Sequence, residues 1–191
     1  MNQEVQAFLD QLVSRGRTAK TVDAYGKALG YFTAHAEKRR VRCLRDVDLR
    51  VVRSYQRLLG KRGMARSSQR SYLGPVRRFL AWAYRHELLL TDLAGRIGLP
   101  ALERTLPPTP LSREEVGRML ALPSRMTLTG LRHRAMLELF YGCGLRRAEM
   151  TQLNVGDIDS AAATVFVHGK GSKDRVLPVN QRALEAVDAY L

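Results

Sequence analysis

Residues 141–153, YGCGLRRAEMTQL, decide how the second half of this chain folds. Apolar residues at helical spacing over 135–140 predict a helix that runs into this stretch. Its two glycines are expected to end that helix, because glycine enters left-handed backbone conformations at little cost. A second helix is then expected to begin at about Leu145, with Arg146 in its first turn. The helix dipole disfavours a cation there unless an anion binds nearby, which indicates a phosphate-binding position.

Two β-prone runs follow this stretch. They are TVFVH at 164–168 and RVLPV at 175–179, and they flank the segment GKGSKD at 169–174. The pattern predicts a β-hairpin with a glycine-rich, basic tip. A last amphipathic helix is expected over 181–191.

The first hundred residues predict an all-α unit, because apolar residues recur there at helical spacing in four segments. The four helices are expected before Gly16, after a cap at Thr18 or Thr21, after Asp46 or Asp48, and from about Ser67 or Ser68. Gly74-Pro75 is expected to kink the fourth helix or delay its start. A short helix around 91–97 closes the unit.

A proline-rich segment divides the chain. Residues 99–110, LPALERTLPPTP, contain four prolines and predict a linker. Ser112 followed by Glu115 predicts a capped helix that opens a second domain. The predicted division is therefore 1–98, 99–110 and 111–191.

The formal net charge is +14, and it is unevenly distributed. Residues 1–100 hold 20 of the 32 Lys and Arg residues but only 8 of the 18 Asp and Glu residues. Such a surface favours a polyanionic partner, and nucleic acid is the expected one. The alternative is a basic surface that is only solvated.

The basic residues are concentrated in a window without acidic residues, from Leu49 to His86. Within it, four cations three or four positions apart line one side of the third helix. No carboxylate follows at i±4, so their mutual repulsion is relieved only by an external anion. The predicted DNA-binding residues are Arg50, Arg53, Arg57, Lys61, Arg66, Arg70, Arg77, Arg78, Lys173 and Arg175.

The two cysteines, Cys43 and Cys143, match no metal-ligand spacing. The sequence also shows no signal peptide and no run of ~18 apolar residues. We therefore predict a cytoplasmic protein with reduced cysteines, no metal site and no membrane partner.

Arg146 and Lys170 are the candidate catalytic residues. An arginine can bind two phosphate oxygens at once, and a lysine on a hairpin can donate a proton to a leaving oxygen. Spacing alone leaves other readings open. Arg146 can equally be a structural ion-pair partner of Glu149, and Lys170 a solvated turn residue.

GLRRAEMTQL followed by VFVHGKGSKDRVLPV resembles the tyrosine site-specific recombinases, the phage integrase and Xer-type family. PPTPLSREEV resembles the start of the family's catalytic domain, and TAKTVDAYGKALGYF with SSQRSYLGPVRRFLAWAYR resembles its core-binding domain. The resemblance covers nearly the whole chain. It implies a mainly α N-terminal core-binding domain, a SAM-like helical bundle, and the first part of an α+β catalytic domain with a small antiparallel β-hairpin.

The resemblance also implies roles. Arg146 corresponds to the first catalytic arginine, which neutralises the scissile phosphate, with Glu149 in support. Lys170 corresponds to the hairpin lysine that protonates the departing 5′ oxygen, whereas Lys173 and Arg175 are expected as backbone contacts or turn residues. In the family reaction a tyrosine attacks a DNA phosphodiester and forms a 3′-phosphotyrosyl link. Strand exchange follows in a tetramer of protomers on double-stranded DNA, without a metal or other cofactor.

The family's later His-x-x-Arg motif and nucleophilic tyrosine are expected beyond Leu191, so no nucleophile is assigned in this chain. Tyr190 is expected to pack rather than react. The chain as given is therefore expected to bind DNA without cleaving it. One alternative is a naturally truncated or decayed recombinase that acts as a non-catalytic DNA-binding protein. Another is a basic helical RNA-binding module, which leaves Lys170 without a role.

Overall fold

The chain divides into two compact units, Met1–Leu106 and Pro107–Leu191. The computed structural model describes residues 1–102, 109–169 and 173–191. Each unit has a hydrophobic core of its own. The predicted linker at 99–110 falls partly outside the described residues, so the finer division into 1–98, 99–110 and 111–191 stays a prediction.

All the regular secondary structure in the described residues of the N-terminal unit is helical. Its helices are α1 Asn2–Ser14, α2 Ala19–Lys38, α3 Leu49–Lys61 and α4 Arg66–Arg85, with 3-10 turns at Leu44–Asp46 and Ala94–Arg96. The capping choices are resolved in favour of Thr18 and Asp48. The Thr18 hydroxyl accepts a hydrogen bond from the N–H of Thr21, and the Asp48 carboxylate accepts one of 2.9 Å from the N–H of Val51.

An aromatic cluster ties α1 to α4. The ring centroid of Phe8 lies 5.6 Å from that of Phe79 and 5.5 Å from that of Trp82. The rings of Phe79 and Trp82 are stacked, with their centroids 5.9 Å apart. All three side chains are buried. Burying large rings in this way supplies much of the apolar area that stabilises a small helical unit.

Two expectations for this unit are corrected. The start of the fourth helix is not delayed by Pro75, because α4 begins at Arg66 and continues through the proline, and the alternative of a kink stays a prediction. Pro75 removes one backbone donor from the helix, but it is itself buried in the core, as are Val76 and Phe79 beyond it, and this packing offsets the loss. The helix expected around 91–97 is only a 3-10 turn, Ala94–Arg96.

The C-terminal unit combines four helices with a small sheet. The elements are α5 Arg113–Ala121, α6 Leu128–Cys143, α7 Arg147–Met150, β1 Ile158–Asp159, β2 Thr164–Val167, β3 Arg175–Pro178 and α8 Gln181–Asp188, with a 3-10 turn at Val155–Asp157. The predicted capping box at Ser112 and Glu115 is present. α6 packs against α8.

The sheet has three antiparallel strands in the order β1-β2-β3. The predicted hairpin is therefore present as β2 and β3, with Phe166 opposite Val176. Val165 and Val167 point into the core. The sequence did not predict β1, because two residues are too few to show an alternating pattern.

The glycine turn before the candidate arginine differs from the expectation in detail. α6 continues through Gly142, and only Gly144 adopts a left-handed conformation, with φ of +62°. A Cβ added at Gly142 would lie 2.5 Å from the side-chain nitrogen of Asn180, the residue that caps α8. Gly142 therefore allows α6 and the start of α8 to approach closely, and Gly144 alone ends the helix.

Candidate active site and nucleic-acid interface

Arg146 lies directly after the left-handed turn, one position before α7. Its backbone is extended, with φ of −78° and ψ of 151°, so it caps α7 and does not lie within the first turn as expected. Its side chain is 76% exposed. Two groups of Arg146, one in the backbone and one in the side chain, donate hydrogen bonds to the carboxylate of Glu149. The backbone N–H of Arg146 donates to Oε2 of Glu149 at 2.8 Å, and its Nη1 donates to Oε1 at 2.8 Å.

Arg175, the first residue of β3, contacts the same carboxylate. Its Nη1 donates to Oε1 of Glu149 at 2.9 Å, and its Nη2 donates to Oε2 at 3.0 Å. This is a paired arginine–carboxylate contact, which fixes direction as well as distance. Sequence analysis predicted only a DNA-backbone contact or a turn role for Arg175, and that DNA contact stays a prediction.

Glu149 is the buried centre of this cluster, with a side chain only 6% exposed. The hydrogen bonds from Arg175 lower the pKa of Glu149 most, followed by the backbone N–H of Arg146, to about 2. The carboxylate is therefore ionised at neutral pH. The negative charge of Glu149 is paired with the positive charges of both Arg146 and Arg175. The cluster therefore keeps a net positive charge beside the exposed guanidinium of Arg146. An anion is the ligand that such a site favours.

The two arms of the hairpin are joined near the tip. The N–H of Gly169 donates to Oδ1 of Asp174 at 3.0 Å. The ring of His168 lies between two carboxylates, with one nitrogen 3.8 Å from Asp157 and the other 3.8 Å from Asp174. Lys170 lies outside the described residues, together with 171–172. The role predicted for Lys170 therefore stays a prediction, while Lys173 is exposed.

The predicted basic face of α3 is exposed along its length. Arg50, Arg53, Arg57 and Lys61 are all exposed, and the other side of the helix is buried. Val52, Tyr55 and Leu59 are inward, as the sequence predicted. The four cations therefore form a continuous, solvent-exposed stripe of positive charge along α3.

The arginines of α4 form a second group. Arg70, Arg77 and Arg78 line a hollow of about 600 Å³, and Asp92 lies on the same hollow. Two of these arginines also bond within the protein. Nη1 of Arg70 donates to the carbonyl of Pro100 at 2.9 Å, and Nη1 of Arg78 donates to the hydroxyl of Tyr25 at 2.7 Å. Arg66 begins the helix. These internal bonds orient Arg70 and Arg78, and their predicted DNA contacts are not tested.

Family models match both units of the chain. The model of the phage integrase family matches residues 110–191, and the model of the phage integrase N-terminal SAM-like domain matches residues 5–87. Two solved structures share the fold. A lambda integrase dimer bound to a COC′ core site has a TM-score of 0.71 at 16% identity, covering 98% of this chain and 65% of that one. The Tn1549 transposon integrase in complex with circular intermediate DNA has a TM-score of 0.67 at 16% identity, covering 97% and 63%.

The fold is that of the tyrosine recombinase class. Tyrosine recombinase XerC 2 of Ralstonia nicotianae is 37% identical in an alignment 194 residues long that covers 98% of this chain and 56% of the relative. Tyrosine recombinase XerC of Pseudomonas fluorescens is 35% identical in an alignment 192 residues long that covers 100% of this chain and 64% of the relative. The chain belongs to the phage integrase family. Within its described residues, no helix is both long enough and apolar enough to cross a membrane.

Proposed function

We propose that this chain is the DNA-binding and arginine-bearing part of a site-specific tyrosine recombinase, which cleaves and rejoins duplex DNA in the cytoplasm. One observation carries the proposal most directly. The exposed guanidinium of Arg146 is held by Glu149, and Glu149 is held by Arg175, the first residue of β3 after the connecting segment that contains Lys170 in the sequence. This arrangement fixes a cation where a phosphodiester can reach it.

The proposed chemistry follows from that fixed cation. A tyrosine hydroxyl loses its proton to water as its oxygen attacks the phosphorus, the bond from phosphorus to the 5′ oxygen breaks, and a 3′-phosphotyrosyl link forms. Arg146 neutralises the charge that develops on the nonbridging oxygens, and Lys170 donates a proton to the departing 5′ oxygen. Because the guanidinium is already oriented, little reorganisation is needed as the charge develops. Removing one donor of this kind costs on the order of 10²–10³ in rate.

Duplex DNA is the proposed partner of the basic face of α3. The related structures include a lambda integrase dimer on a core site and the XerH recombinase bound to its difH substrate, at TM-scores of 0.71 and 0.64. Exposed arginines that neutralise phosphates release counterions, so binding weakens as salt rises. The assembly of four protomers on DNA is part of the same proposal.

A salt titration tests the DNA face. The double variant Arg53→Glu with Arg57→Glu is expected to bind a duplex more weakly. The slope of log K against log salt should become less negative by roughly 2, because each phosphate contact contributes about −0.9. The matched control is Arg15→Glu with Arg17→Glu, which makes the same charge change at two other exposed arginines. Equal losses in both double variants would remove the basic face from the proposal.

A cleavage assay tests the catalytic arginine. It uses a chain extended to include the family's His-x-x-Arg motif and nucleophilic tyrosine, with a nicked duplex that traps the covalent product. Arg146→Ala is expected to abolish that product while most duplex binding remains. Arg147→Ala, at the exposed neighbouring arginine, is the control and should retain it. Covalent product from Arg146→Ala would contradict the assignment. DNA binding with no product from the unmutated extended chain would favour a non-catalytic protein.

A further inference from the structure

A cavity of about 310 Å³ lies between α2, α3 and α4 in the N-terminal unit. Its walls include the aromatic side chains of Tyr31, Tyr55 and Tyr72, and its charged lining residues are Lys38 and Arg62. The rings of Tyr31 and Tyr72 meet edge to face, with centroids 5.3 Å apart. The volume is at the lower end of the range of small-molecule sites, about 300–1,000 Å³.

Tyr55, one of the residues that line this cavity, carries a buried hydroxyl without a hydrogen-bond partner among the described residues. Tyr55 is 1% exposed, and its hydroxyl has no hydrogen-bond partner in the part of the chain that the structure describes. Burial raises the pKa of this hydroxyl above its ordinary value, and Tyr72 raises it further. The group therefore stays protonated at neutral pH. A buried donor without an acceptor costs free energy, so an acceptor brought by a ligand would be stabilised there.

The neighbouring His35 adds no charge to the cavity wall. Nε2 of His35 lies 2.7 Å from the hydroxyl of Ser54, and that hydroxyl donates its only proton to the carbonyl of Val51 at 2.7 Å. Nε2 of His35 therefore carries the proton and donates it to Ser54. Burial lowers the pKa of His35, and the nearby cations lower it further. The histidine is neutral at neutral pH.

The charge around the cavity is one-sided. Among the described residues that line it, Lys38 and Arg62 are charged and none is acidic. These same two cations are among the causes of the lowered pKa of His35, which places their charge close to the cavity wall. The rest of the wall is aromatic or apolar. A ligand that satisfies all these groups has a flat apolar body and one negatively charged acceptor group.

We propose that this cavity binds a small aromatic carboxylate. The ring lies among Tyr31, Tyr55 and Tyr72, and the carboxylate accepts the hydrogen bond of the Tyr55 hydroxyl near Lys38 and Arg62. The site is separate from the arginine cluster of the C-terminal unit, and it does not depend on the proposed recombinase function.

Titration of the full chain with 2-naphthoate tests the site. The unmutated chain is expected to bind it saturably. Tyr55→Phe should bind at least about tenfold more weakly, because a hydrogen bond to a charged group is lost. The matched control is Tyr84→Phe, which removes the hydroxyl of an exposed tyrosine outside the cavity and should leave binding unchanged.

Three further measurements separate the loss of ligand contacts from a loss of folding. Without ligand, Tyr55→Phe should unfold at the same temperature as the unmutated chain or higher, because it removes an unpaired buried donor. Lys38→Met and Arg62→Met should each weaken binding, and the neutral amide of the same ring should bind at least about tenfold more weakly than 2-naphthoate.

Three outcomes would overturn the proposal. The first is no saturation by about 10 mM ligand. The second is equal affinity in the unmutated chain and in Tyr55→Phe, or equal affinity for the acid and the amide. The third is displacement of 2-naphthoate by stoichiometric duplex DNA, which would make the cavity part of the DNA interface.

Discussion

Glu149 shows how one carboxylate connects two parts of the C-terminal unit. Arg146 lies three positions earlier in sequence, whereas Arg175 lies 26 positions later, on a strand. The sequence motif identified the near pair, because residues three apart at a helix start are neighbours. It could not identify the distant pair, because that contact depends on the sheet bringing the first residue of β3 beside α7.

The lowered pKa of Glu149 predicts that the fold becomes less stable as the pH falls. The folded-state pKa is about 2, below the value of about 4.3 for an unfolded chain. The ionised carboxylate therefore stabilises the fold fully above that unfolded value, and the stabilisation is lost as the pH falls towards 2. Glu149→Gln removes this contribution. Thermal unfolding followed by circular dichroism should show a smaller stability loss between pH 5 and pH 2 in the variant.

A second carboxylate serves as the control for this measurement. Glu185 is exposed on α8 and lies outside the arginine cluster. Glu185→Gln should therefore keep the steep pH dependence of the unmutated chain. If Glu149→Gln kept that dependence too, the ion pairs of Glu149 would contribute nothing to stability in acid.

At the scale of helices and strands, the helix caps were predictable from the sequence, whereas the tertiary contacts of individual helix residues were not. The caps at Thr18, Asp48 and Ser112 are present because a short polar side chain before an apolar run satisfies free backbone donors. The predicted helix end at Gly142 and the delayed helix start at Pro75 were both wrong. A glycine can mark a helix end or a close contact, and a buried proline can remain in a helix when packing compensates. Only the tertiary structure separates these cases.

Gly142→Ala is expected to leave the C-terminal unit about 1 kcal/mol less stable than the control Gly117→Ala does. The added Cβ would lie 2.5 Å from the Asn180 side chain, which must then move and release the N–H of Ala183 at the start of α8. Losing such a cap costs about 1 kcal/mol. The control is Gly117→Ala in α5, where an added Cβ meets nothing within 4 Å. That change should be neutral or stabilising by up to about 1 kcal/mol. Chemical denaturation measures both, and equal effects would contradict the close approach of α6 and Asn180.

At the scale of the whole molecule, the two hydrophobic cores predict separable folding. Residues 1–102 contain the entire N-terminal core and keep two bonds that fasten its last segment. Gln56 donates to the carbonyl of Gly98, and Arg70 donates to that of Pro100, both at 2.9 Å. Residues 1–102 expressed alone should therefore unfold in one cooperative transition and retain salt-dependent duplex binding.

The full chain is the control for this fragment. Calorimetry of residues 1–102 should reproduce one of the transitions of the full chain, and the salt slope of the fragment should include the contribution of α3. A fragment without a cooperative transition would show that the N-terminal core needs the rest of the chain. The helical fold of this unit was predictable from periodicity, but the bonds that fasten its last segment were not, because they join α3 and α4 to distant carbonyls.

The position of Trp82 also determines what intrinsic fluorescence can report about the unfolding of this protein. It is the only tryptophan of the chain, and it is 93% buried beside Phe8 and Phe79 in the N-terminal core. The wavelength of its fluorescence emission therefore reports when water enters the N-terminal core during unfolding. Comparing a fluorescence melt with a circular dichroism melt of the same sample would show which half of the chain loosens first, without any added label.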